Sequence, residues 1–116
     1  MDPQTMFDVR GLRAAITGGG GVLCGGMARG LARLGVSVAV LDLIPEKAQS
    51  VAEEIVSMGG TALGLGCDAT DPASLAAARD AILKRWGGVD VLVNGAGGNH
   101  PKATTSTELR FFALPP

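Results

Sequence analysis

The sequence predicts an α/β domain built on a parallel sheet, and three observations carry that prediction. Short apolar runs alternate with amphipathic helical segments in the order βαβαβαβ, the connections are short, and glycines gather where the runs end. Strands joined through helices in this way run parallel, with right-handed crossovers. Glycine is the compositional outlier, with 18 among 116 residues where average usage gives about eight. The glycines cluster at 18–21, 25–26, 59–60, 87–88 and 95–98. That placement marks tight turns and close backbone approach, not a flexible linker.

Each element follows from its residues. Arg13-Ala14-Ala15-Ile16-Thr17 is a short apolar run ending abruptly in glycines, a buried strand that meets a turn. From Leu23 to Leu34 the residues Met27, Leu31 and Leu34 recur at helical spacing beside Ala28 and Ala32, and Gly35 supplies a stop. Val36 to Leu41 is continuous and rich in β-branched residues, so it reads as a strand buried on both faces and closed by Asp42. Pro45 suits a first helical turn. Behind it Ala48, Val51, Ala52, Ile55 and Met58 form one apolar stripe, while Glu46, Lys47, Glu53 and Glu54 face water and Gly59-Gly60 ends the helix. Thr61 to Gly66 is a third, weaker strand. Asp71-Pro72 reads as a cap and first helical residue, followed by Leu75, Ala78, Ile82 and Trp86 on one face and by Gly87-Gly88. Val89 to Asn94 is the fourth strand and runs straight into Gly95-Ala96-Gly97-Gly98.

Composition narrows the function classes. Apolar residues make up 47% and charged residues 18% of the chain, with a net charge of −1, which is a globular balance. Acids and bases are interspersed, so the basic face that nucleic-acid binding requires is not visible. No apolar run approaches membrane-spanning length, and the polar start is unlike a signal peptide. Cys24 and Cys67 lack metal-ligand spacing and read as small buried thiols of a reducing compartment. A cytoplasmic protein without a metal site or membrane contact is expected.

Three features coincide at the strand ends. Thr17 to Gly21 lies between the first strand and helix, where glycines let main-chain N–H groups and the helix N-terminus approach a pyrophosphate. The turn and the residues after it (Thr17, Gly18, Gly20, Gly21, Val22 and Leu23) are expected to lie against that group. Asp42 ends the second strand. Two uses are open to it: accepting both ribose hydroxyls of NAD, which would repel the 2′-phosphate of NADP, or capping the next helix. Asn94-Gly95-Ala96-Gly97 forms a second glycine-lined edge on the same crevice. A P-loop is excluded, because no Gly-Lys-Ser/Thr follows the glycines. Together these features predict a Rossmann-type dinucleotide fold.

With Thr17-Gly18, Asp42, Asp68-Ala69 and Asn94-Gly95-Ala96-Gly97 after successive strands, residues 11–105 resemble the short-chain dehydrogenase/reductase family. The resemblance implies a doubly wound sheet of order 3-2-1-4, truncated to about four strands. It also implies that Asp68 bonds the adenine amino group, that Ala69 lies against adenine, and that Asn94, Gly95 and Ala96 border the adenosine ribose. A surface role for Asp68 stays open. The family's T-G-x-x-x-G-x-G pattern would place glycine at 22 and 24, where this chain has Val22 and Cys24. Its N-A-G element carries Gly95 in the middle position. Cys24 is small enough for close helix–strand packing, and Val22 suggests that the permissive backbone angles have moved onto Gly20 or Gly21.

The phrases at 18–24 and 94–105 resemble a subgroup described as D-mannonate oxidoreductases or fructuronate reductases. In that reading Asn99-His100-Pro101-Lys102 lies beside nicotinamide and sugar; an exposed polar loop is the other reading. The family's catalytic Y-x-x-x-K, with its upstream serine, is expected beyond residue 116, and this chain contains no tyrosine. Accordingly no catalytic residue is assigned, and the chain alone is expected to be inactive. Residues 1–10 read as an extension, 11–98 as an NAD-binding half-domain, and 99–116, with Leu109, Phe111 and Phe112, as a loop and an interrupted further element. The expected function is the N-terminal cofactor-binding part of an NAD-dependent (less readily NADP-dependent) oxidoreductase, acting in its full-length form as a homo-oligomer on a sugar acid or polyol. The alternatives are a stand-alone dinucleotide-binding module and an inactive fragment.

Overall fold

The computed structural model describes residue 2 and residues 5–96. In chain order these form β1 (Arg13–Thr17), α1 (Val22–Arg33), β2 (Ser37–Asp42), α2 (Pro45–Ser57), β3 (Ala62–Gly66), α3 (Pro72–Trp86) and β4 (Val91–Asn94). The strands make one sheet of order β3-β2-β1-β4 with every pair parallel, as expected. In register, Thr17 lies opposite both Leu41 and Asn94, and Asp42 opposite Gly66. The carboxyl ends of all four strands therefore form one edge, and the four loops that follow them open onto it.

Alternation along the strands divides the core into two layers. Ala14, Ile16, Val38 and Val40 face α1 and α2, where they meet Ala28, Ala48, Val51 and Ile55. Ala15, Ala39 and Leu41 face α3 through Ala78 and Ile82, with Trp86 packed against the layer. Ile16 and Ile55 are fully buried.

The buried face of α1 differs from the expected one. Cys24, Gly25, Ala28 and Ala32 pack inward, whereas Met27 and Leu34 are 40% and 58% exposed. A helix that starts from a glycine turn at the sheet edge lies close to the sheet, and small residues take the nearest positions. Leu31 packs partly buried beside them, whereas Met27 and Leu34 turn outward. Met58, expected in the α2 stripe, follows the last helical residue and is exposed, and Leu75 at the start of α3 is also exposed.

The element ends have identifiable causes. The Asp71 carboxylate accepts from the Ala73 N–H, and Gly87 closes α3 in the left-handed conformation at φ 78°. β4 begins at Val91, two residues later than expected, because the Asp90 carboxylate takes the Arg13 main-chain N–H at 2.8 Å. The Arg13 guanidinium closes the same corner, donating to Asp90 Oδ2 at 3.0 Å and to the Trp86 carbonyl at 2.9 Å.

Candidate functional site

A crevice of about 610 Å³ opens at the carboxyl edge of the sheet, within the size range of small-molecule and cofactor sites. Four chain segments build it: Thr17 and Gly18 with Gly21 to Cys24, then Leu41 to Leu43, Cys67 to Thr70, and Gly95-Ala96. Ten of the sequence-predicted site residues line it: Thr17, Gly18, Gly21, Val22, Leu23, Asp42, Asp68, Ala69, Gly95 and Ala96. Gly20 and Asn94 stand just outside the lining. Gly97 lies outside the described residues, as do Asn99, His100, Pro101 and Lys102.

The glycine turn is shaped by one permissive residue and two tight approaches. Gly18 has φ 67°, and a Cβ there would lie 2.7 Å from the Gly95 carbonyl oxygen. A Cβ on Gly20 would come within 2.6 Å of Lys47 Cβ and 2.8 Å of Asp42 Oδ2. The expectation that the permissive angles sit on Gly20 or Gly21 is therefore corrected. Among the described residues positive φ in this turn belongs to Gly18, and Gly21 has extended backbone at the N-cap of α1. The turn thus reverses direction at its first residue, which lets Val22 enter the helix with ordinary angles and its side chain 97% exposed. Among the described residues no side chain caps α1 and its first turn holds no acid, so its leading N–H groups, on Val22 to Cys24 of the crevice lining, have no acceptor there.

Cys24 and Gly95 explain each other. A Cβ built on Gly95 would lie 2.1 Å from Cys24 Sγ and 2.8 Å from the Thr17 carbonyl oxygen. The family pattern has glycine at 24 and alanine at 95. Here the larger side chain comes from α1 and the bare backbone from the β4 end, and one pocket between them is filled once. The two departures from the pattern are a single compensated exchange.

Thr17 fastens β1 to β4 at this edge. Its buried hydroxyl accepts from Gly95 N–H and Ala96 N–H, each at 3.1 Å, and donates to the Val93 carbonyl at 3.4 Å. With these partners Thr17 holds the loop after β4 in place. Asp42 serves two main-chain donors: Gly20 N–H reaches Oδ2 and Ile44 N–H reaches Oδ1, both at 3.0 Å. It therefore lines the crevice and ties the glycine turn to Ile44, the N-cap of α2, which itself receives no side-chain cap. Asp68 Oδ1 accepts from the Thr70 hydroxyl at 2.6 Å and the Thr70 N–H at 2.9 Å. These two bonds, the hydroxyl's first, hold its carboxyl below the usual carboxylate range.

Sequence reasoning missed Leu41, Leu43, Cys24, Cys67 and Thr70 as lining residues. The signal was available in part: residues next to Asp42 and Asp68 follow strands that end at the same edge. Both cysteines are buried free thiols. Among the described residues no helix is long and apolar enough to cross a membrane.

Comparison with known proteins gives this arrangement a context. A model of the short chain dehydrogenase family matches residues 13–112. The uncharacterized oxidoreductase UxuB of Bacillus subtilis is 52% identical over 101 residues, covering 87% of this chain and 36% of that protein. The 7alpha-hydroxysteroid dehydrogenase of Escherichia coli is 39% identical over 102 residues, covering 84% and 40%. Among solved structures, a candidate D-mannonate oxidoreductase from Haemophilus with NAD bound superposes with TM-score 0.81 at 37% identity, covering 93% of this chain and 42% of that one. The chain thus spans well under half the length of these relatives.

Proposed function

The chain belongs to the short chain dehydrogenase family, and on that premise we propose that it is the dinucleotide-binding portion of an NAD-dependent oxidoreductase interconverting an alcohol and a ketone. The observation that carries the reading is the crevice edge itself. Bare main chain at Gly18 and Gly21, an uncapped α1 N-terminus and the Asp42 carboxylate share one cavity. A Cβ on Gly18 would lie 2.7 Å from the Gly95 carbonyl oxygen, so the turn packs this closely against the end of β4 only while residue 18 is glycine. The residues fit the group. The α1 N-terminus and the glycine turn would hold the pyrophosphate. Asp42 would take the ribose hydroxyls and disfavour a 2′-phosphate, which makes NAD the preferred cofactor over NADP. Asp68 and Ala69 would receive the adenine, with Asn94, Gly95 and Ala96 beside the ribose. When bound, the nicotinamide accepts or donates the hydride. Thr17 keeps the β4 loop against the turn; it is a positioning residue.

Residues 11–98 would be the binding unit and 1–10 an extension. Proton transfer would fall to residues of a longer protein, since this chain has no tyrosine to play the part the family resemblance assigns. A sugar acid such as D-mannonate is the proposed substrate. It rests on the likeness to the Haemophilus protein and on the motif at 94–105.

Calorimetric titration of the 116-residue chain with NAD and NADP tests the binding reading. Micromolar NAD affinity, weaker NADP affinity and no turnover with D-mannonate are expected. A folded chain that binds neither dinucleotide overturns the proposal. In a longer protein carrying this chain, NADH formation with D-mannonate supports the sugar-acid reading. Oxidation of a hydroxysteroid in its place would replace it.

A further inference from the structure

We propose that Asp42 is also the tether of the glycine turn, so that one carboxylate sets both the ribose contact and the geometry of the phosphate-binding turn. The ribose part rests on the function proposed above; the tether rests on geometry alone. Gly20 N–H donates to Oδ2 and Ile44 N–H to Oδ1, so the side chain joins the turn after β1 to the residue preceding α2. The joint has no slack: a Cβ on Gly20 would overlap both Lys47 Cβ and Asp42 Oδ2. Gly21, the N-cap of α1, follows at once, so the position of Gly20 fixes where the helix presents its free N–H groups.

An ionised carboxylate offers about four acceptor positions. Main chain takes two of them here, which leaves two, the number a vicinal ribose diol requires. The consequence concerns specificity. Replacing Asp42 to admit a 2′-phosphate also releases Gly20 N–H, so affinity for the diphosphate falls for either cofactor. Exchange of NAD for NADP preference then needs a second acceptor for Gly20.

The experiment compares the 116-residue chain with Asp42→Ser and Asp42→Asn. A serine hydroxyl can still accept from Ile44 N–H in a local turn but is too short to reach Gly20 as well. Asparagine keeps the length and one acceptor oxygen. Amide hydrogen exchange is read at Gly20 and Ile44, and affinity is read for ADP and for 2′,3′-dideoxy-ADP, which lacks the diol. In Asp42→Ser, Gly20 exchange is expected to accelerate about tenfold while Ile44 stays protected, with Asp42→Asn intermediate. Both nucleotides are expected to bind about tenfold more weakly to Asp42→Ser. Unchanged Gly20 exchange in both variants overturns the tether. So does a loss of ADP affinity with dideoxy-ADP affinity unchanged, because the carboxylate would then act through the diol alone. If the parent chain binds neither nucleotide, the nucleotide reading fails, and Gly20 exchange still decides the tether.

Discussion

The two ends of β1 solve opposite problems. At Arg13 the sheet edge is closed by long side chains. The guanidinium spans Asp90 and the Trp86 carbonyl, and what approaches Gly88 there is the flexible tip of that same arginine. At Thr17 the neighbours are main chain: Gly18 abuts the Gly95 carbonyl, and Gly95 abuts the Thr17 carbonyl and Cys24 Sγ. The first edge can adjust when a group is removed. The second has no rotamers to spend, and an added methyl group must move backbone. Openness toward a ligand is bought with rigidity and intolerance just behind the opening.

Substitutions at the two ends break or sharpen this contrast. The largest effect is expected for Gly18→Ala, which combines a left-handed backbone angle with backbone overlap. A loss of about 4 kcal/mol is expected in urea unfolding, and a loss under 1 would contradict the packing described. Gly95→Ala follows, at about 3 kcal/mol. Here the test is rescue: adding Cys24→Gly vacates the sulfur position and should recover more than a third of the loss, despite the cost of a helical glycine, about 1 kcal/mol. Additive effects in that double variant would show that the two positions do not share one space. Thr17→Val keeps the shape and removes the acceptor of two N–H groups. It is expected to cost about 1.5 kcal/mol and to weaken dinucleotide affinity while leaving the Arg13 end unaffected.

The smallest effect is expected at the other end, for Arg13→Ala, because the pair is solvent-screened. Its signature is pH dependence. The Arg13 hydrogen bonds, side-chain first and main-chain second, hold the Asp90 carboxyl below its ordinary 3.8. A folded-state value below the unfolded one stabilises at pH above the ordinary range and is lost as pH falls through the depressed value. The urea midpoints of parent and Arg13→Ala chains should therefore differ at neutral pH and converge in strong acid. A constant gap would show that the ion pair contributes nothing.

The strand and helix order was legible because each element carries its own period and its own stop. Asp71-Pro72 and Gly87 are local signals, and local backbone chemistry honours them. The α1 face was misread for a reason that lies outside the helix. Met27 and Leu34 have the right spacing for a core stripe, but the fully buried positions are the small Cys24, Gly25, Ala28 and Ala32, with Leu31 packed partly buried beside them. The crevice was legible in the residues that end strands; Leu43, Cys67 and Thr70 were missed because their part in it depends on how neighbouring loops converge.

By itself the sequence determined the alternation of elements, the glycine-lined strand ends and the acid at position 42, since periodicity, turn chemistry and side-chain length are local properties. Tertiary structure alone decided three matters: that Gly18 takes the left-handed angle, that Cys24 fills the volume Gly95 leaves, and that Asp42 grips Gly20 across the turn. Each depends on atoms far apart in the chain meeting within hydrogen-bond or van der Waals distance, and only the assembled sheet edge brings them together.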